Sequence, residues 1–281
     1  SPALTSRYHG IFFQDDWKAT RRLTLNLGLR YELEEPATER FNRNVRGFDL
    51  TATNPAEAAA QAAYARSPIP EVSPANFRLR GGLLFVNADN RRFYDPDKNN
   101  FQPRIGFAFQ INEKTVLRGG FAMYTVPFPL EGINLTGFST STPVVPTADN
   151  GLTFIASLAD PYPNGLNQPT GASRGLATFL GQGVNFVPTK FKNGQSQKFE
   201  LSLQRELPGR WLAEVAFVGQ RGYDLITGVD LNPGPAQYLS TSPVRDQDRI
   251  NFLTANVTNP FRGIELFRGT NFFTAAQLQR Q

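Results

Sequence analysis

The 281-residue chain has no cysteine, a single histidine and a single methionine, and each scarcity removes a class of chemistry. Without thiols there is neither a disulfide framework nor a thiolate metal site, although an oxidising compartment stays open. His9 would have to serve any Ser–His triad, and no G-x-S-x-G motif accompanies it. A structural histidine is the ordinary reading, and the chain is expected not to be an enzyme. No apolar run approaches the ~18 residues of a transmembrane helix, which excludes membrane helices but not alternating membrane strands, whose signal hydropathy averages hide. The Lys and Arg residues behind the formal charge of +5 are dispersed, which argues against a nucleic-acid partner. No phosphate-cradling glycine motif is present and no cofactor is expected. Residues 1–7 lack both a starting methionine and the basic-then-apolar pattern of a signal peptide, so they read as a cut end.

What is abundant points to strands and loops: 24 glycines, 21 prolines and 24 phenylalanines. The clearest pattern runs from Leu23 to Glu32, where apolar and polar residues alternate without a fault. On a strand, successive side chains point to opposite faces, so Leu23, Leu25, Leu27, Leu29 and Tyr31 share one face and Thr24, Asn26, Gly28, Arg30 and Glu32 the other. The same alternation predicts strands near 8–17, 23–33, 103–111, 115–125, 196–206 and 211–219, which form three hairpins. The apolar set of the later strands includes Phe107, Phe109, Phe121, Leu201, Leu203, Val215 and Phe217. The opposite set includes Arg104, Gly106, Arg118, Gly120, Glu200 and Glu214.

Between the hairpins lie long unpatterned stretches, 34–100, 126–195 and 220–281. In the first, Asn54, Pro55 and Glu57 predict a capped helix over 54–66, and Gly81-Gly82 a bend within a strand region at 77–86. In the second, eight prolines from Pro127 to Pro188, Pro129 among them, exclude regular sheet throughout, and Ser173 is placed to cap a short helix to Leu180. No clear strand is expected after Gln220. Short turns at one end of the strands and long connections at the other match a membrane barrel better than a sandwich, which keeps both ends short. Trp17 and Trp211 flank short turns, where an interfacial aromatic girdle lies, and Tyr31 sits at the opposite end. Charges mixed with very small residues on the second face suit a lumen packed closely around an internal plug. The fold class is therefore all-β, an antiparallel transmembrane β-barrel segment whose long outer loops contain short helices.

Other constellations are weaker. Asp95-Pro-Asp97-Lys-Asn99 imitates the start of a calcium loop, yet Asn100 replaces the required glycine and Gly106 stands where the bidentate Glu belongs, so a solvated turn without metal is expected. Adjacent Asp15 and Asp16 project to opposite sides of a strand, make a poor acid–base pair, and are expected to bond to backbone or to Arg21 and Arg22.

Phe13-Gln-Asp-Asp-Trp17 followed by Leu23-Thr-Leu-Asn-Leu-Gly-Leu-Arg-Tyr-Glu32 resembles the barrel of TonB-dependent outer-membrane transporters. Asn100-Phe-Gln-Pro-Arg-Ile-Gly-Phe-Ala108, Leu117-Arg-Gly-Gly120, Phe217-Val-Gly-Gln-Arg-Gly222 and Leu231-Asn-Pro233 resemble its Oar-like branch. The resemblance spans nearly the whole chain and implies a bacterial outer-membrane location, a plug domain, a TonB box and a barrel of about 22 strands. Neither plug nor box is in this chain, which is thus expected to be one partial barrel over 1–281 and too short to close alone. The resemblance implies lipid contact for Leu25, Leu27, Leu29 and the rest of the apolar set. It implies plug contact for Asn26, Gly28, Arg30 and the rest of the second set. The partners implied are outer-membrane lipid, the plug, the TonB energy-coupling system and an unknown bulky ligand. The alternative from another class is a secreted or cell-surface β-sheet adhesion module.

Overall fold

The computed structural model describes residues 2–128, 134–190 and 192–280. Pro129, one of the prolines expected to break the second connection, lies outside them. In chain order the main elements are β1 (Leu4–Lys18), β2 (Leu23–Glu39), β3 (Val45–Thr53), α1 (Glu57–Tyr64), β4 (Arg80–Phe85), β5 (Asn100–Asn112) and β6 (Thr115–Val126). They continue with β7 (Gly194–Leu207), β8 (Trp211–Tyr223), α2 (Gln247–Thr254), β9 (Asn256–Thr258), α3 (Asn271–Thr274) and β10 (Gln277–Gln279). Contacts divide the chain into two compact units: residues 1–40, 92–132 and 188–229, and residues 41–91, 133–187 and 230–281.

The first unit is a six-stranded antiparallel sheet in the order β1-β2-β5-β6-β7-β8. Every neighbour in the sheet is also the next long strand in sequence, as a meander requires. Its strands are 12 to 17 residues long, more than the roughly 9 to 11 a tilted strand needs to cross a bilayer core. The hairpin turns are closed locally. Thr20 Oγ1 accepts from the amides of Arg22 and Leu23 at 3.1 and 3.0 Å, and Asn112 Oδ1 accepts from Lys114 N at 3.0 Å. The third turn passes through residues 208–210.

Several strands outrun the alternation that marks them. β2 continues to Glu39 through a bulge in which Pro36 and Ala37 stand opposite Ser6 of β1. Proline has no amide to donate, and a bulge is where a ladder tolerates it. β8 likewise runs on to Tyr223, past the expected end at 219.

The second unit holds most of the buried apolar side chains, among them Ala60, Tyr64, Leu83, Ala177 and Phe267. α1 starts at Glu57, not Asn54: the Asn54 carboxamide accepts from Ala56 N at 3.0 Å and shapes a turn before the helix, which ends at Tyr64, short of the expected Arg66. The Glu57 carboxylate accepts from Leu79 N at 2.9 Å and pairs with Arg80 at 3.3 Å, fastening the helix to β4. Gly81 takes a positive φ of +88°, and the β3–β4 register shifts there. Gly81 and Gly82 lie inside β4, which pairs with β3, and a Cβ on Gly82 would stand 2.5 Å from the Leu176 carbonyl oxygen. That close approach leaves room only for glycine. Leu176 belongs to a single 3-10 turn, Gly175–Ala177, in place of the helix expected from Ser173; the Ser173 hydroxyl donates to Thr170 O instead of capping. Residues 220–281 also carry more order than expected, with β9 paired to β10 and Asp246 capping α2 through Arg249 N at 3.0 Å.

Candidate functional site

The candidate site is the six-stranded sheet itself, because its register assigns every residue of interest to a row and a face. On the apolar face one row runs Trp17, Leu25, Phe107, Gly119, Leu201, Phe217. The row on one side is Leu27, Ile105, Phe121, Phe199, and on the other Leu23, Phe109, Leu117, Leu203, Val215. Leu29 pairs with Phe13 and Pro103 a further step along. Gly119 is roofed by its neighbour: a Cβ there would lie 2.4 Å from Phe107 Cε1, so the ring occupies the space a side chain would take.

On the opposite face one row runs Asp16, Asn26, Gly106, Gly120, Glu200, and the next Gln14, Gly28, Arg104, Ala122, Lys198, Gln220. Arg30 pairs with Gln102, Arg118 with Ala108 and Ser202, and Glu214 with Gln204. This face is bonded within itself. Asn26 donates to Asp16 at 2.5 Å, and Arg30 donates to Glu32 at 2.5 Å and to the Tyr8 hydroxyl at 2.9 Å. Asp16 thus takes a neighbouring carboxamide and not the expected Arg21 or Arg22. A hollow of about 400 Å³ opens over the glycines, walled by Gln14, Asn26, Arg104, Tyr124, Lys198 and Glu200.

The two faces are exposed in different ways. Leu201 is 48 % exposed, Phe217 65 % and Val215 77 %, and nothing in their own unit covers them. Water-soluble monomers rarely leave so continuous an apolar surface open. Trp17 and Trp211 are exposed beside two of the short turns, and Tyr31 packs against Phe101 with ring centres 4.9 Å apart and planes tilted by 45° at the other end of the same face.

The remaining sequence candidates have local roles. His9 Nε2 lies 3.5 Å from the Glu35 carboxylate, which also meets Arg92 at 3.5 Å. Asp97 accepts from Asn99 N at 3.1 Å and from Asn193 N at 3.0 Å, tying two segments together as a turn. Among the described residues no group of three or more His, Asp or Glu could hold a metal ion. Tyr124 and Lys198 carry no motif, and their role emerges only when the register sets β5, β6 and β7 side by side.

No curated protein matches the sequence. Among solved structures, the alcaligin outer membrane receptor FauA from Bordetella pertussis aligns at 10 % identity and a TM-score of 0.33, over 83 % of this chain, a likeness too slight to bear on function. The chain spans 23 % of the length of that receptor. The family described as the outer membrane beta barrel domain matches residues 1–277, and the chain therefore belongs to the outer-membrane β-barrel domains of the bacterial outer membrane.

Proposed function

We propose that this chain forms barrel wall and outer loops of a TonB-dependent, Oar-like receptor that moves a bulky substrate across the outer membrane. The observation that carries the proposal is the division of the sheet: one face leaves Leu201, Val215 and Phe217 bare, and the other, which also carries Phe12 and Val218, gathers Arg104, Lys198 and Glu200 with Gly28, Gly106 and Gly120 around the hollow. In a bilayer the bare face meets acyl chains and costs nothing to expose. The other face then borders the lumen, where Gly28, Gly106, Gly120 and Ala122 let a second body approach the wall closely. A catalyst would need a nucleophile, base and oxyanion donors held together, and His9 on β1 with Glu35 on β2 offers only one contact of 3.5 Å. On this reading Leu25, Leu27, Leu29 and their row-mates touch lipid, and Asn26, Gly28, Arg30 and theirs face a plug.

The test uses the full-length gene product. Carbonate-washed membranes should retain it in the outer-membrane fraction, and an immobilised TonB C-terminal domain should capture it from detergent extracts. A freely soluble monomer would overturn the wall assignment, and outer-membrane residence without TonB capture would overturn the energy coupling.

A further inference from the structure

Arg104 on β5 and Lys198 on β7 lie in one row of the polar face, and the residue between them on β6 is Ala122. Two strand spacings set their backbones roughly 10 Å apart. Both cations lean on a single ring: Arg104 Cζ is 5.2 Å and Lys198 Nζ 5.4 Å from the centre of Tyr124. Such contacts hold a cation in place without neutralising it. Neither forms an ion pair among the described residues. Glu200 is the nearest carboxylate along the row below, and it leans over Gly120, with its Oε1 3.4 Å from where a Cβ on that residue would stand. The result is a positive gap floored by one methyl group, backed by a phenol and bordered by a carboxylate.

We infer that the gap over Ala122 is a carboxylate seat, in which one carboxylate bridges Arg104 and Lys198 while Glu200 accepts a hydrogen bond from a donor on the same ligand. The row sets Ala122 one strand spacing, about 5 Å, from the backbone of each cationic residue, and the Tyr124 ring two residues along the same strand holds both charged groups beside it. Two sources carry this chemistry, an Asp or Glu side chain of the protein's own lumenal segments, or a carboxylate-bearing solute that also has an amino or hydroxyl group. The inference rests on the polar face bordering the lumen.

The experiment exploits the absence of cysteine from this chain. In the full-length protein in outer membranes, Ala122→Cys is labelled with the anionic sulfonatoethyl and the cationic trimethylammonioethyl methanethiosulfonates. Any effect of the two cations on the thiol itself cancels in the ratio of rates. Two cations held on the neighbouring Tyr124 ring, screened by water and salt, should favour the anionic reagent about tenfold. The preference should fall towards parity in the Arg104→Gln/Lys198→Gln background, and glutamate added as probe should compete with the anionic reagent if the seat is open to solutes. A seat filled by the protein's own carboxylate instead excludes both reagents until Arg104 and Lys198 are neutralised. Equal rates for both reagents, a ratio indifferent to the neutralising pair, or exclusion that persists in the neutralised background would each overturn the seat. Leu201→Cys separates the two readings: labelling there with Ala122→Cys silent in every background would refute the lumenal face itself.

Discussion

Replacing Leu201 with arginine separates a lipid-facing wall from a water-facing sheet more cleanly than any other single change. Leu201 lies opposite Gly119 and Phe217 on the apolar face, with no carboxylate in its row. It is already 48 % exposed within the chain, so truncating its protein contacts contributes little, and the cost is set by what lies outside. Against lipid at the midplane, a charge there should destabilise the barrel by about 2–4 kcal/mol. Against water the same change should stay within about 0.5 kcal/mol. Ala216 is the control, because it precedes Phe217 and sits at the same depth on the opposite face, paired with Ser202. Ala216→Arg should cost well under half as much. Leu27, an otherwise equivalent position, is a poorer probe: it stands directly across from Asp15 on β1, which would pair with an introduced arginine and reduce the penalty. The assay is equilibrium unfolding of the full-length protein from phospholipid bilayers in guanidinium. Equal losses for Leu201→Arg and Ala216→Arg, or a loss below about 0.5 kcal/mol for the former, would refute the argument.

Gly119→Val should destabilise by about 1–3 kcal/mol by overpacking, since the Phe107 ring fills the space, and Phe107→Ala in the same protein should recover part of that loss; additive losses in the same unfolding assay would count against the contact. Tyr94, whose ring meets Phe128 edge-on at 5.2 Å, is pushed up to about 12 by burial first and by the Glu34 carboxylate second. The folded state therefore holds this proton more tightly than the unfolded chain does. The stability it contributes is complete below the ordinary tyrosine pKa near 10 and is lost as pH rises through about 12. A phenolate absorbance titration of the protein minus that of Tyr94→Phe should show one step near pH 12, and a step near 10 would remove the burial argument.

Alternation made the sheet legible because a period of two is a property of the strand, independent of its partners. It faltered where other constraints took over. Glu34, Glu35 and Pro36 break the alternation, yet β2 continues through them, held by pairing with β1 across a bulge. β4 falls inside the strand region expected over 77–86, but its partner β3 was hidden because Gly47 interrupts the pattern, and tertiary contact of Gly82 to Leu176 fixes the placement of β4. Which face each residue occupies followed from parity alone. Which residues are neighbours did not, since register is set by turns and bulges. Arg104 and Lys198 are 94 positions apart in sequence, and only the pairing of β5, β6 and β7 brings them to either side of Ala122.

The same register places a demand on the sheet's two margins. β1 and β8 are the outer strands of the order, and each is paired along one side only among the described residues. Half the amide and carbonyl groups of a 15-residue and a 13-residue strand therefore point outward. Water can satisfy them, but the core of a bilayer cannot, and each group left bare there costs several kcal/mol. On the proposed reading their exposed apolar side chains, Ile11 and Phe13 on β1 and Val215 and Phe217 on β8, face the bilayer, where the bare backbone beside them cannot be left. Only further strands, hydrogen-bonded to β1 and to β8, resolve both requirements together. The wall is therefore built to be continued on both sides, and the carboxylate seat, two strands in from β8 and three in from β1, is sheltered from either seam.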